Sequence, residues 1–170
     1  CQPFTVDDLV AETSTLLEVI RSLHINDRCF VTVLDHVGAI VTLSDLEKPP
    51  VRMFLFGMIT MVEMLMTRII RQRYPNDSWK EFLSEARVDK AMTLQQERMR
   101  RGQVVDLVDC LQYSDKGWIL TYNEEMRAEF QYESRKQARQ ASKEIETLRN
   151  NLAHTQEIIP SGWQRIVLFT

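Results

Sequence analysis

Apolar residues change their spacing several times along this chain, and each change marks a predicted element. In ETSTLLEVIRSLH, residues 12–24, Leu16, Leu17, Ile20 and Leu23 recur at helical spacing, with Thr13 or Ser14 as the expected cap. Two β-rich runs follow, CFVTVL (29–34) and VGAIVTL (37–43), joined by a turn at Asp35 and His36, which reads as a hairpin. SDLEK (44–48) predicts a short helix capped by Ser44 or Asp45 and ended by Pro49 and Pro50. Beyond the prolines the pattern is helical throughout. Residues 51–74 are apolar on nearly all sides, which predicts a buried helix, and the sequence Tyr-Pro-Asn-Asp at 74–77 breaks it. Helical patterns cover 79–86, 88–101 and 123–130, residues 104–113 are amphipathic, and SDKGW (114–118) reads as a turn.

The last predicted helix runs over 133–154. Its apolar stripe is Ala138, Ala141, Ile145, Leu148 and Leu152, stepping by three and four. Arg149 falls on the edge of that stripe and His154 roughly opposite it. The two are about 140° apart on an ideal helix, whereas Asn150 and His154, four residues apart, share a face. The closing segment RNNLAH (149–154) therefore presents Asn150 and His154 away from the core stripe. A charged histidine is also a common helix end, because cations suit the C-terminal end of the helix dipole.

Composition narrows the function classes. The 170 residues carry 44% hydrophobic and 26% charged side chains and a net charge of −3. A core can form, disorder is disfavoured, and a surface uniformly basic for nucleic acid is excluded, although a local basic groove is not. Cysteines at 1, 29 and 110 lack the spacing of a zinc site or a disulfide framework, which points to a reducing cytoplasmic setting. No secretory signal pattern is visible, and the most apolar run, MFLFGMITMV (53–62), is too short for a membrane span. The start at Cys1 and the end at WQRIVLFT read as those of a fragment. Nucleophile-elbow, Walker and dinucleotide-binding motifs are lacking. His24 and His36 have no ligand-spaced partner and read as structural. Arg98, Arg100 and Arg101 could line an RNA path, but such a run at a helix C-terminus is favoured without any ligand, and the same discount applies to Arg68, Arg71 and Arg73.

Two family resemblances organise these observations into an α+β chain of two parts. The stretches ETSTLLEVI, FVTV and VGAIVTLSDL in residues 1–50 resemble a CBS motif, a small α/β unit that normally pairs with a second copy. Thr42 and Asp45 match the family's Gly-x-x-Thr-x-x-Asp pattern, while Ala39 stands where glycine is usual. The resemblance implies that Thr42 contacts a phosphate and Asp45 the ribose of an adenine nucleotide acting as a regulator. The Ala39 departure crowds the close backbone approach such a ligand needs.

Residues 51–170 resemble an HEPN domain, an α-helical bundle of prokaryotic and antiviral ribonucleases whose hallmark is Arg, a polar residue, and His a few positions on. Arg149, Asn150 and His154 match it. The resemblance implies a metal-independent endoribonuclease in defence or stress, toxin-like, with RNA as substrate and two motif copies brought together in a homodimer; no membrane contact is expected, because the apolar run is too short for a span. Histidine suits proton transfer near neutral pH, and arginine presents a planar fork of donors to phosphate. Asn150 orients His154 or bonds phosphate, and Glu63, alone in the apolar helix, is a further candidate set against a bland ion-pair role. No metal or other cofactor is expected for catalysis. Gln156 stands where some HEPN toxins carry a tyrosine used in adenylylation control. The competing expectation is a non-catalytic dimeric regulatory or scaffold protein with a ligand-sensing CBS unit.

Overall fold

The computed structural model describes residues 5–154 and 156–158; Cys1 and the WQRIVLFT end lie outside them. The fold is α+β, with a three-stranded sheet and six α-helices among the described residues. The chain divides into two compact units, residues 1–57 with 148–170, and residues 58–147. This division differs from the expected boundary at residues 50 and 51.

In the first unit, β1 (Leu9–Ala11) pairs parallel to β2 (Arg28–Val33), and β2 pairs antiparallel to β3 (His36–Thr42). Parallel neighbours need a crossover, and α1 (Leu16–Asn26) supplies it. Strand β1 is only three residues long and carries too little alternation to be read from sequence. Helix α1 starts later than expected because the cap is Thr15. Its hydroxyl accepts the Glu18 N–H at 3.3 Å while its own N–H donates to the Glu18 carboxylate at 2.6 Å, a reciprocal capping box. The hairpin turn sits at Leu34 and Asp35, one residue earlier than expected. Both have positive φ, 49° and 62°, as the twist of a tight two-residue hairpin requires. Ile20, Leu23, Cys29 and Leu46 are fully or almost fully buried.

The segment 43–47 is a 3-10 turn capped by Thr42 rather than by Ser44 or Asp45. Pro49 and Pro50 begin α2 (Pro49–Arg73) instead of ending a helix. A helix leaves its first N–H groups unbonded, so proline costs little there. The expectation that this helix is buried on nearly all sides is overturned. Leu55, Ile59, Met66, Thr67 and Ile70 are buried, whereas Met53, Met61, Met64 and Leu65 are each at least half exposed. The apolar run also extends beyond 53–62. By length and composition α2 is long and apolar enough to cross a membrane, with 28% of its apolar window buried.

In the second unit, α3 (Glu85–Arg100), α4 (Tyr113–Tyr122) and α5 (Glu124–Glu129) accompany residues 58–73 of α2 and the first part of α6 (Arg135–Ala153). Asn76 and Asp77, both left-handed, separate α2 from a 3-10 segment that buries Trp79. The amphipathic stretch 104–113 forms only a 3-10 turn over Leu107–Cys110. SDKGW, expected as a turn, is the start of α4. Its two charged residues are buried and paired. Asp115 accepts from Arg87 and from the Gln112 backbone N–H, and Lys116 pairs with Glu63.

Candidate functional site

The predicted catalytic residues lie at the C-terminal end of α6, in the part belonging to the first unit. Leu148 and Leu152 are buried there, as the stripe requires, which leaves Asn150, Ala153 and His154 exposed. The His154 N–H donates to the Asn150 carbonyl at 3.0 Å, so helical bonding continues to His154 and the two side chains share a face. The Arg149 guanidinium bends round to donate to Asn150 Oδ1 at 3.2 Å. This bond sets the Arg149 guanidinium against the Asn150 side chain. The His154 imidazole makes no hydrogen bond to another described residue.

Arg52 holds this helix end, a role that sequence reading missed. Its Nη2 donates to the Asn151 carbonyl at 2.9 Å and the Leu152 carbonyl at 3.4 Å, and its Nη1 to the Gln156 carbonyl at 2.9 Å. Glu47 orients Arg52 at 2.7 Å and also accepts the Ile158 N–H at 2.6 Å. A helix ends with unbonded carbonyls, and a largely buried guanidinium satisfies several of them at once. The only sequence signal was an arginine closing the apolar run.

Glu63 belongs to the other unit, where its Oε1 pairs with Lys116 Nζ at 2.9 Å. It borders a cavity of about 290 Å3 in which Arg71 is likewise paired, with Asp109 and Asp106. Every cation on that wall has its carboxylate. Tyr113 lies nearby, its phenol pushed up by burial and by the Glu63 charge.

Thr42 and Asp45 are engaged with one another. The Thr42 N–H donates to Asp45 Oδ2 at 2.7 Å and its hydroxyl to the same oxygen at 3.1 Å, while Asp45 Oδ1 meets Lys48 at 2.6 Å. Lys48 and the Thr42 N–H hold the Asp45 carboxyl below its ordinary range. A folded-state pKa depressed in this way stabilises the protein above the unfolded carboxylate pKa, and the contribution fades as pH falls through the folded value. Asp45→Asn should therefore lower stability by roughly 0.5–1 kcal/mol near neutral pH. The gap in urea midpoint between the two proteins should close on acidification. A gap that stays constant down to acid pH would contradict this account.

Cys29 and Cys110 are buried free thiols whose pKa is raised by burial, which keeps them protonated and unreactive at neutral pH. No group of three or more His, Cys, Asp or Glu converges on a metal position among the described residues. Comparisons with protein-family models, with curated proteins and with solved structures each found no match.

Proposed function

We propose that the chain is a metal-independent endoribonuclease of HEPN type that works as a homodimer, each copy supplying one Arg149, Asn150 and His154. The observation carrying this reading is the Arg149–Asn150 hydrogen bond of 3.2 Å. On ideal helical geometry Arg149 and His154 diverge; the bond ties Arg149 to Asn150, which precedes His154 by one helical turn, and this supports the reading. The assembled functions suit RNA cleavage. Histidine takes the 2′-hydroxyl proton or protonates the leaving oxygen, and arginine offsets charge on the phosphorane. A second His154 across the twofold supplies the complementary acid or base. Arg52 acts here as a positioning residue, because it fixes the turn that carries His154.

The test is cleavage of a mixed RNA substrate in EDTA by the purified homodimer. His154→Ala should lose at least about a hundredfold in rate, as expected for removal of a general acid or base. Arg149→Lys keeps the charge but not the fork and should lose part of the rate. Equal cleavage by wild type and His154→Ala, or none by either with adenine nucleotides present, would remove the reading.

A second reading, a non-catalytic dimeric regulatory or scaffold protein, draws on the Thr42–Asp45 capping box. Those two side chains are already satisfied by each other and by Lys48, so the CBS-like unit serves structure more readily than nucleotide sensing. Under the ribonuclease reading, control by an adenine nucleotide would require opening this box.

A further inference from the structure

The second unit carries a cleft of about 530 Å3 on the opening half of α6. Arg135, Lys136, Arg139 and Lys143 of α6 line it together with Trp118 of α4 and Arg87 of α3, and Glu146 is the one acid among its lining residues. Arg87 is committed to Asp115. The other four cations form no ion pair with a described residue, in contrast to the paired cations around Glu63.

The aromatic side chains prepare two of these cations. The Trp118 indole N–H donates to the Phe82 carbonyl at 2.7 Å, which fixes the ring. The Arg139 guanidinium stands 4.0 Å from the centre of that ring, and Arg135 stands 3.8 Å from the centre of Tyr122 and 5.4 Å from that of Trp118. A guanidinium stacked on a ring keeps its N–H edges free and loses little freedom when they bind. Its outer plane is also a stacking surface for a base.

The placement of this charge runs against the helix. Arg135 and Lys136 occupy the first turn of α6, which holds no acid, where the dipole already presents partial positive charge. Cations here are unfavourable for the helix alone, and a bound polyanion reverses that. Residues 135–143 rise about 12 Å along the axis, so the cations form a row suited to a repeating phosphate chain rather than one phosphate.

We propose that this cleft binds single-stranded nucleic acid, with backbone phosphates on the free edges of Arg135, Lys136, Arg139 and Lys143 and a base against the stacked guanidiniums. Binding here does not require cleavage at His154, and the two can fail separately.

The experiment uses a fluorescent 2′-O-methyl oligoribonucleotide of about 12 nucleotides, which cannot be cleaved through a 2′-hydroxyl. Its anisotropy is titrated with the full chain across salt concentrations. Binding should weaken steeply with salt. Lys136→Gln/Lys143→Gln, both at exposed positions, should weaken binding by about tenfold and reduce the salt slope by about 1.4. Circular dichroism and thermal melting establish that the variant is folded. No binding by the wild type, or unchanged affinity and slope in the folded variant, would overturn the proposal. So would loss of binding in Arg100→Gln/Arg101→Gln alone, which would move the site to the end of α3. Equal competition by polyglutamate would replace nucleic acid with an acidic protein partner and overturn it as well.

Discussion

Glu63→Ala should lower the unfolding free energy by about 3–5 kcal/mol, one of the largest single-residue effects expected for this protein. The Lys116 side chain is 5% exposed and its ammonium is met by Glu63 at 2.9 Å, with Glu63 itself 23% exposed. Removing the carboxylate strands a largely buried positive charge without its partner, at the wall of the small cavity that Glu63 borders. Surface ion pairs such as Arg73 with Glu125 carry no such penalty, and their loss should cost well under about 1 kcal/mol. The double variant Glu63→Leu/Lys116→Met separates the cost of a stranded charge from the worth of the pair, because apolar replacement of both partners is often neutral. It should recover most of the loss in chemical denaturation. A double variant as unstable as Glu63→Ala would show that packing around α2 and α4, not the stranded charge, dominates. The same series separates the structural role of Glu63 from a catalytic one. Under the structural account, cleavage by the folded double variant matches wild type.

The elements whose stability depends on nearby residues were legible in the sequence, and those completed by distant partners were not. Helix α6 and its stripe were readable because Ala138, Leu148 and Leu152 bury on one continuous helix. The hairpin was readable from its two β-rich runs, within one residue at the turn. Helix α4 was not, because its start looks like a turn until Asp115 is matched with Arg87 and Lys116 with Glu63, 28 and 53 residues away. The exposed face of α2 was unreadable for the opposite reason, since a run of methionines and leucines looks the same whether covered or bare. At the candidate site, Arg149, Asn150 and His154 were legible as a motif, but the contact joining Arg149 to Asn150 depends on a side-chain bend that helical angles do not contain. The cations of the cleft, in SRKQARQASK, were not legible as a site. Their meaning needed Trp118 and Tyr122 beneath them, which come from an earlier helix.

Gly117→Ala should destabilise the second unit by about 1–3 kcal/mol, the cost of forcing extra volume into a packed contact. In α4, a methyl group at Gly117 would come within 1.9 Å of the Ser142 hydroxyl oxygen and 3.0 Å of its Cβ, with the Met66 methyl at 3.7 Å. The hydroxyl can rotate away, but the Ser142 Cβ is attached to the backbone of α6 and moves only with the helix. Intrinsic propensity favours alanine over glycine within a helix by roughly 1 kcal/mol, so a net loss would isolate the contact rather than the backbone. At this chain length each kcal/mol lowers the melting temperature by roughly 2–4 °C. Ser142→Ala alone should be nearly neutral, because it leaves the Cβ in place and removes only a small hydroxyl. Combined with Gly117→Ala it should return part of the loss, since the nearest clash goes but the 3.0 Å contact stays. Gly117→Val should be worse than Gly117→Ala by a further margin that Ser142→Ala does not rescue. If Gly117→Ala instead raises the melting temperature, the two helices have room to separate and the contact does not set their spacing. Gly117 and Ser142 both line the cleft, so this variant also reads on the proposed nucleic-acid site. Pushing α6 away from α4 moves Arg135 and Arg139 off Trp118, and oligonucleotide affinity should fall together with stability even though no cation has been changed.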